Sequence, residues 1–216
     1  MKKLQLNLMT LIAGSIVASG CLQRDVTETW YVDANGAVTW VVNEQNVRSD
    51  SQSPLDRRSE EGEYWLAVQQ DRHGIAEGLR ELRAERMRTI VLRAETPYAV
   101  QTEGRFTGLD ILGQRVIAAT GMTGTSVMQR RETAWEWTMV VRDPSARDAT
   151  GDPSSGVSNL LDGLDHLKVV LIAGRFDAAE GFSLSKDRRV ATFDLREGRD
   201  NDQSQPAITL RLSWTN

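Results

Sequence analysis

The chain has 216 residues and one cysteine, Cys21. No internal disulfide can form, so whatever this sequence folds into must be held by packing alone. The side chains that can supply that packing are concentrated in six tryptophans, against three Tyr and four Phe. Each buried indole removes a large apolar area from water. Trp30, Trp40, Trp135, Trp137 and Trp214 fall in strand-like segments, and Trp65 falls on a helical stripe. Core packing is therefore the first reading of the set. Trp135 and Trp137, with Met139, form the exception worth carrying forward: indoles on one strand face can line a ligand groove.

Local patterning sets the fold class. Residues 26–42 read as a β-hairpin around Asn35-Gly36, a turn pair that tolerates positive φ. A two-residue turn there sets Tyr31 opposite Trp40 and Trp30 opposite Val41. Residues 46–58 are polar, contain Pro54 and read as a loop. Trp65, Val68, Ile75, Leu79 and Leu82 make one apolar stripe within a helical insertion over about 59–86, with a break near His73-Gly74. Strands follow at 89–94 and 98–106, a short helix at 109–119, a turn at 121–124 and strands over 127–142, where Trp135, Trp137, Met139 and Val141 alternate with Glu136, Thr138 and Arg142. Residues 143–156 and 196–206 read as mobile loops, 157–164 as a short helix, and 167–176, 189–195 and 207–214 as closing strands, the last expected near the first hairpin. The pattern predicts one α+β domain, a mainly antiparallel sheet with short helices packed on one face.

The residues before Cys21 have a different character. Lys2 and Lys3 are followed by an apolar run, strongest over residues 8–17, and then by Val17-Ala18-Ser19-Gly20-Cys21. About ten apolar residues are too few to span a bilayer, which takes roughly 20. This segment resembles the signal peptide and lipobox of bacterial lipoproteins, with Ala18 where such segments usually carry Leu. The resemblance implies a signal peptide over 1–20, a diacylglycerol thioether on Cys21, cleavage between Gly20 and Cys21, and acylation of the new amino group. It divides the chain into the signal, a lipid anchor and short tether over 21–25, and a single ectodomain over 26–216. The membrane is then a partner through lipidated Cys21. The implied location is the bacterial cell envelope, facing away from the cytoplasm: the outer membrane in a diderm, otherwise the cell membrane.

Later in the chain, Leu167-Lys168-Val169-Val170-Leu171-Ile172-Ala173-Gly174-Arg175-Phe176 leads to Glu180-Gly181-Phe182 and then Arg189-Val190-Ala191-Thr192-Phe193. With the lipobox and the early hairpin, this strand–Gly–link–strand shape resembles the LppM-type envelope lipoproteins. That resemblance implies an α+β ectodomain outside a membrane, with no established catalysis.

Composition and motifs narrow the function classes. The chain carries 26 basic and 30 acidic residues, and losing Lys2 and Lys3 with a signal peptide makes the balance more acidic still. No basic block stands out, which argues against nucleic acid as a partner. The histidines are His73 and His166, with no free thiol once Cys21 is lipidated, so neither a metal nor another cofactor is expected. Asp162, Asp165 and His166 read as a solvated helix end. The stretch 121–126 lacks the Gly-Lys-Ser/Thr ending of a phosphate loop, and no G-x-S-x-G occurs. Glu60, Glu61, Glu63, Asp110 and Glu132 are carboxylates from which nothing selects a glycosidase pair. The expectation is a membrane-anchored, non-enzymatic binding or structural module for an envelope protein, glycan or lipid. The alternatives are a carrier of lipid or apolar ligand, with Trp135, Trp137 and Met139 lining its cavity, and, last, a peptidoglycan-directed hydrolase.

Overall fold

Asp33 rather than the Asn35-Gly36 pair controls the first turn. Its carboxylate accepts from the amides of Asn35 at 2.8 Å and Ala37 at 3.0 Å, and its backbone pairs with Ala37. The loop between the strands therefore runs from Asp33 to Ala37, and Trp30 stands opposite Trp40, with Tyr31 opposite Thr39. This corrects the register expected from a two-residue turn by one position. An Asx-type turn competes with the tight type I′ turn and wins. The correction matters because a one-residue slip exchanges the faces of the sheet. Gly36 sits at φ 84°, and a Cβ there would collide with Met128.

The computed structural model describes residues 22–142, 167–193 and 208–215. The fold is α+β, with two mostly antiparallel sheets and three helices among the described residues. The element order is β1 (Leu22–Val32), β2 (Val38–Ser49), α1 (Pro54–Gln69), α2 (Gly74–Glu81), β3 (Arg86–Arg93), β4 (Tyr98–Phe106), α3 (Leu109–Ala119), β5 (Thr123–Arg131), β6 (Ala134–Arg142), β7 (Lys168–Leu171), β8 (Arg175–Glu180), β9 (Ser183–Leu184), β10 (Val190–Thr192) and β11 (Ile208–Thr215). The first sheet runs β3-β4-β2-β1-β7-β10-β9 and the second β5-β6-β11-β8.

Four local expectations change for identifiable reasons. Residues 46–58 are not a single loop. A bulge with Asn46 at φ 54° interrupts the alternation of β2, which then resumes to Ser49. Ser53 caps α1 through the amide of Asp56, and Pro54 occupies the first turn of the helix rather than breaking it. The helical insertion thus spans two helices, parted by a turn at Asp71 with φ 53°. Residues 22–25 are strand rather than tether: Leu22 pairs with Ser49 and Asp25 with Gln45, on either side of the same β2 bulge. Finally, β11 does not return to the first hairpin. The free edge of β1 is taken by β7, in parallel, with Trp30 beside Val169, and β11 pairs with β6 and β8 instead. The segment read as one strand over 167–176 divides at Gly174, φ 78°, and carries the chain from the first sheet to the second.

One core joins the sheets. Trp30 and Trp40 meet edge to face at 5.3 Å, and Trp30 reaches Trp137 of the second sheet at 6.5 Å. Leu210, Leu212, Trp214, Phe176, Val169 and the buried face of α3 complete it. Helix α3 lies close on β5, where a Cβ on Gly113 would strike Ser126. Among the described residues no helix is long and apolar enough to cross a membrane.

Candidate functional site

Up to the bulge at Asn46, the even-numbered positions of β2 face the protein interior. Val38, Trp40 and Val42 obey the apolar rule, and Glu44 breaks it while remaining fully buried. Around it stand Arg24 on β1, Tyr64 on α1, His73 ahead of α2, and Thr102 on β4. Arg24 donates to Glu44 Oε1 at 2.8 Å. His73 Nε2 lies 3.6 Å from Glu44 Oε2 and shares a 2.9 Å hydrogen bond with Thr102 Oγ1. The Tyr64 ring meets His73 edge to face at 6.3 Å. The position of His73 follows from the turn that ends α1, and its backbone carbonyl starts α2 by accepting from Glu77.

Burial dominates the electrostatics. It pushes the Glu44 carboxyl above its ordinary range, while the Arg24 guanidinium pulls it back. Burial likewise lowers His73 to about 4; Asp71 opposes this, and Arg24 and Arg80 add to it. Tyr64 is raised, by burial first and by Glu44 second. The imidazole is therefore neutral at pH 7, the protonation state a proton acceptor needs. What the cluster lacks is access: the Glu44 and His73 side chains are each 1% exposed. His73 Nδ1, Glu44 Oε2 and the Tyr64 hydroxyl are buried without a normal hydrogen bond. The cluster offers no reacting group to a substrate in this conformation.

Sequence reasoning weighed His73 only as a metal ligand and missed Glu44, Tyr64 and Thr102. The available signal was the carboxylate of Glu44 on the apolar register of 38, 40 and 42. No group of three His, Cys, Asp or Glu able to hold a metal ion occurs among the described residues.

The groove expected at Trp135, Trp137 and Met139 is not formed. Trp137 is fully buried and donates from Nε1 to Ser126 Oγ at 2.9 Å. Met139 is buried in the same core. Trp135 stacks on Trp214 at 6.5 Å and donates to the Ala34 carbonyl. Alternation placed these residues on one face correctly, and the face is filled by the opposing sheet. An open depression of about 280 Å³ lies elsewhere, lined by Ala37, Glu85, Arg86, Arg105 and Thr107.

Of the carboxylates considered for hydrolysis, Glu60 and Glu61 meet at Ser49, where they are taken up by its hydroxyl and amide, and the others lie apart. Glu63 accepts from Ser59, Asp110 opens α3, and Glu132 lies in the β5–β6 turn. Cys21, Asp162, Asp165 and His166, the helix at 157–164, and the loops at 143–156 and 196–206 lie outside the described residues. So does the signal segment.

No family model matches the sequence, and no curated protein matches it. Among solved structures the chain is similar to the folded domain of Mycobacterium tuberculosis LppM determined by NMR, with 11% identity, 93% of this chain and 94% of that chain covered, and a TM-score of 0.39.

Proposed function

We propose that this protein is a bacterial envelope lipoprotein, anchored through lipid on Cys21, whose ectodomain is a non-enzymatic binding or structural module facing away from the cytoplasm. The observation that carries the anchor is the run from Lys2-Lys3 through an apolar stretch to Ser19-Gly20-Cys21. Two or three acyl chains hold a protein stably where a single chain binds only marginally. Closure of the Glu44–His73 cluster supports the non-enzymatic half, since general acid–base work requires hydrogen-bond reach to a substrate. The filled core around Trp137 speaks against an apolar-ligand carrier at that position. In a diderm the reading extends to the outer membrane, because Leu22 rather than Asp follows the cysteine; in a single-membrane bacterium it is the cell membrane.

Metabolic labelling with palmitate tests the anchor. The wild type takes up label and partitions with membranes, and Cys21→Ala does neither. Equal labelling of the two proteins, or none in the wild type, removes the reading.

A further inference from the structure

Leu22 is bonded to Cys21, so their Cα atoms are about 3.8 Å apart, and Leu22 is already paired in β1. This fixes which end of the ectodomain lies next to the anchor. Pairing across the first sheet sets Leu22 opposite Ser49, Val47 opposite Tyr98, and Val100 opposite Val91. The starts of β1 and β4 and the ends of β2 and β3 are therefore at one end, the anchor end. The loop of Asp33 to Ala37 is at the other.

The anchor end has the composition of a membrane interface. Trp65 of α1 stacks flat on Tyr98 at 5.2 Å, and both rings, with Leu22, cover the small core of Val47, Tyr64, Val68 and Val100 while remaining part-exposed. On the edge strand Val91 is 43% and Leu92 52% exposed. Helix α1 first reaches the sheet where Glu60 and Glu61 bond Ser49. Residues 54–59 before that point are all exposed and rise about 9 Å, carrying Leu55, 77% exposed. Trp and Tyr favour the headgroup level, where one part of the ring is apolar and the other wet. Charges at this end are mixed, with Arg48 and Arg93 near Asp50 and Glu95, so apolar contact rather than attraction to anionic lipid is the driving interaction.

We infer that this end of the ectodomain, formed by Leu22, Leu55, Trp65, Val91, Leu92 and Tyr98, docks on the bilayer that holds the lipid anchor. The inference rests on the anchored reading of Cys21. With no slack between lipid and strand, docking is intramolecular, and a patch too weak to bind vesicles unaided is held at the surface by its effective concentration. The domain is then fixed in orientation, with the Asp33 to Ala37 end and its Arg86–Arg105 depression turned away from the membrane.

The full-length lipidated protein allows a direct test, because Cys21 in thioether leaves an introduced cysteine as the only thiol. Leu92→Cys and Ile172→Cys, the latter an equally exposed apolar position at the far end, are labelled with an environment-sensitive fluorophore. Each is reconstituted in phosphatidylcholine vesicles with and without spin-labelled lipid. The expected result is a blue shift and lipid quenching at Leu92 and water-like, unquenched emission at Ile172. A lipidated protein that floats with the vesicles but gives water-like emission at Leu92, or quenching at Ile172, overturns docking and leaves the anchor standing. A protein carrying no lipid on Cys21 overturns both.

Discussion

Along one face of β2 the protein changes chemistry within twelve residues. Val38, Trp40 and Val42 look into the core between the sheets, where the Trp137 indole nitrogen is hydrogen-bonded. Glu44 looks into the layer beneath α1 and α2, where a carboxylate, an imidazole and a phenol are buried together. Both regions exclude water equally well. They differ in what a deletion leaves behind. Removing a core ring leaves a cavity, a cost set by lost contacts. Removing a partner from the polar layer leaves a buried charge, a cost set by solvation.

The largest expected effect lies on the apolar side. Trp137→Ala removes the ring that touches Trp30 at 6.5 Å and Phe182 at 6.4 Å, and it takes away the donor to Ser126 Oγ, which keeps only its 3.5 Å bond to the Leu109 carbonyl. Urea unfolding should read a loss of about 3–5 kcal/mol; a loss under about 1 kcal/mol would mean that the two sheets do not share this core. On the polar side, Arg24→Met leaves Glu44 without its 2.8 Å ion pair. The expected cost at pH 7 is about 3 kcal/mol, with most of it recovered when Glu44→Leu is added. If Arg24→Met behaves like a surface pair, at roughly 0–1 kcal/mol, the distinction between the two regions fails.

The same contrast explains what could be read from the sequence. Local elements were legible because patterning is a local signal: β4 and α3 fall where the pattern placed them. That Trp137 is core rather than groove was not legible, because the sheet that covers it is distant in sequence. Sheet membership was not legible. Whether β11 joins β1 or β6 depends on β7 occupying the edge of β1, a contact between residues far apart in sequence. Turn chemistry hid the hairpin register, because the Asp33 carboxylate outweighs a favoured Asn-Gly pair. The Glu44 cluster was half legible. An acid on the inward register of a strand is visible, but the helices that bury it with His73 and Tyr64 are not.

The smallest effect sharpens the polar side alone. His73 faces Glu44 and Thr102 from the sheet and Tyr64 from α1, with Asp71, Arg24 and Arg80 acting on its charge. Its folded value of about 4 lies below the ordinary 6.5. Between those values the unfolded chain binds a proton that the folded chain refuses. Stability from this group is therefore complete above about pH 6.5 and declines as pH falls toward 4, at roughly 1 kcal/mol per pH unit. The raised carboxyl of Glu44 acts in the opposite sense, retaining a proton in the fold that the unfolded chain releases. The two contributions separate by substitution. His73→Gln keeps a donor near Thr102 and should flatten the decline between pH 6.5 and 4, whereas Glu44→Gln, by removing the opposing group, should steepen it. Denaturant midpoints measured at half-unit pH intervals read both slopes. An unchanged slope in His73→Gln would show that the imidazole is hydrated, and that this layer is no drier than the surface.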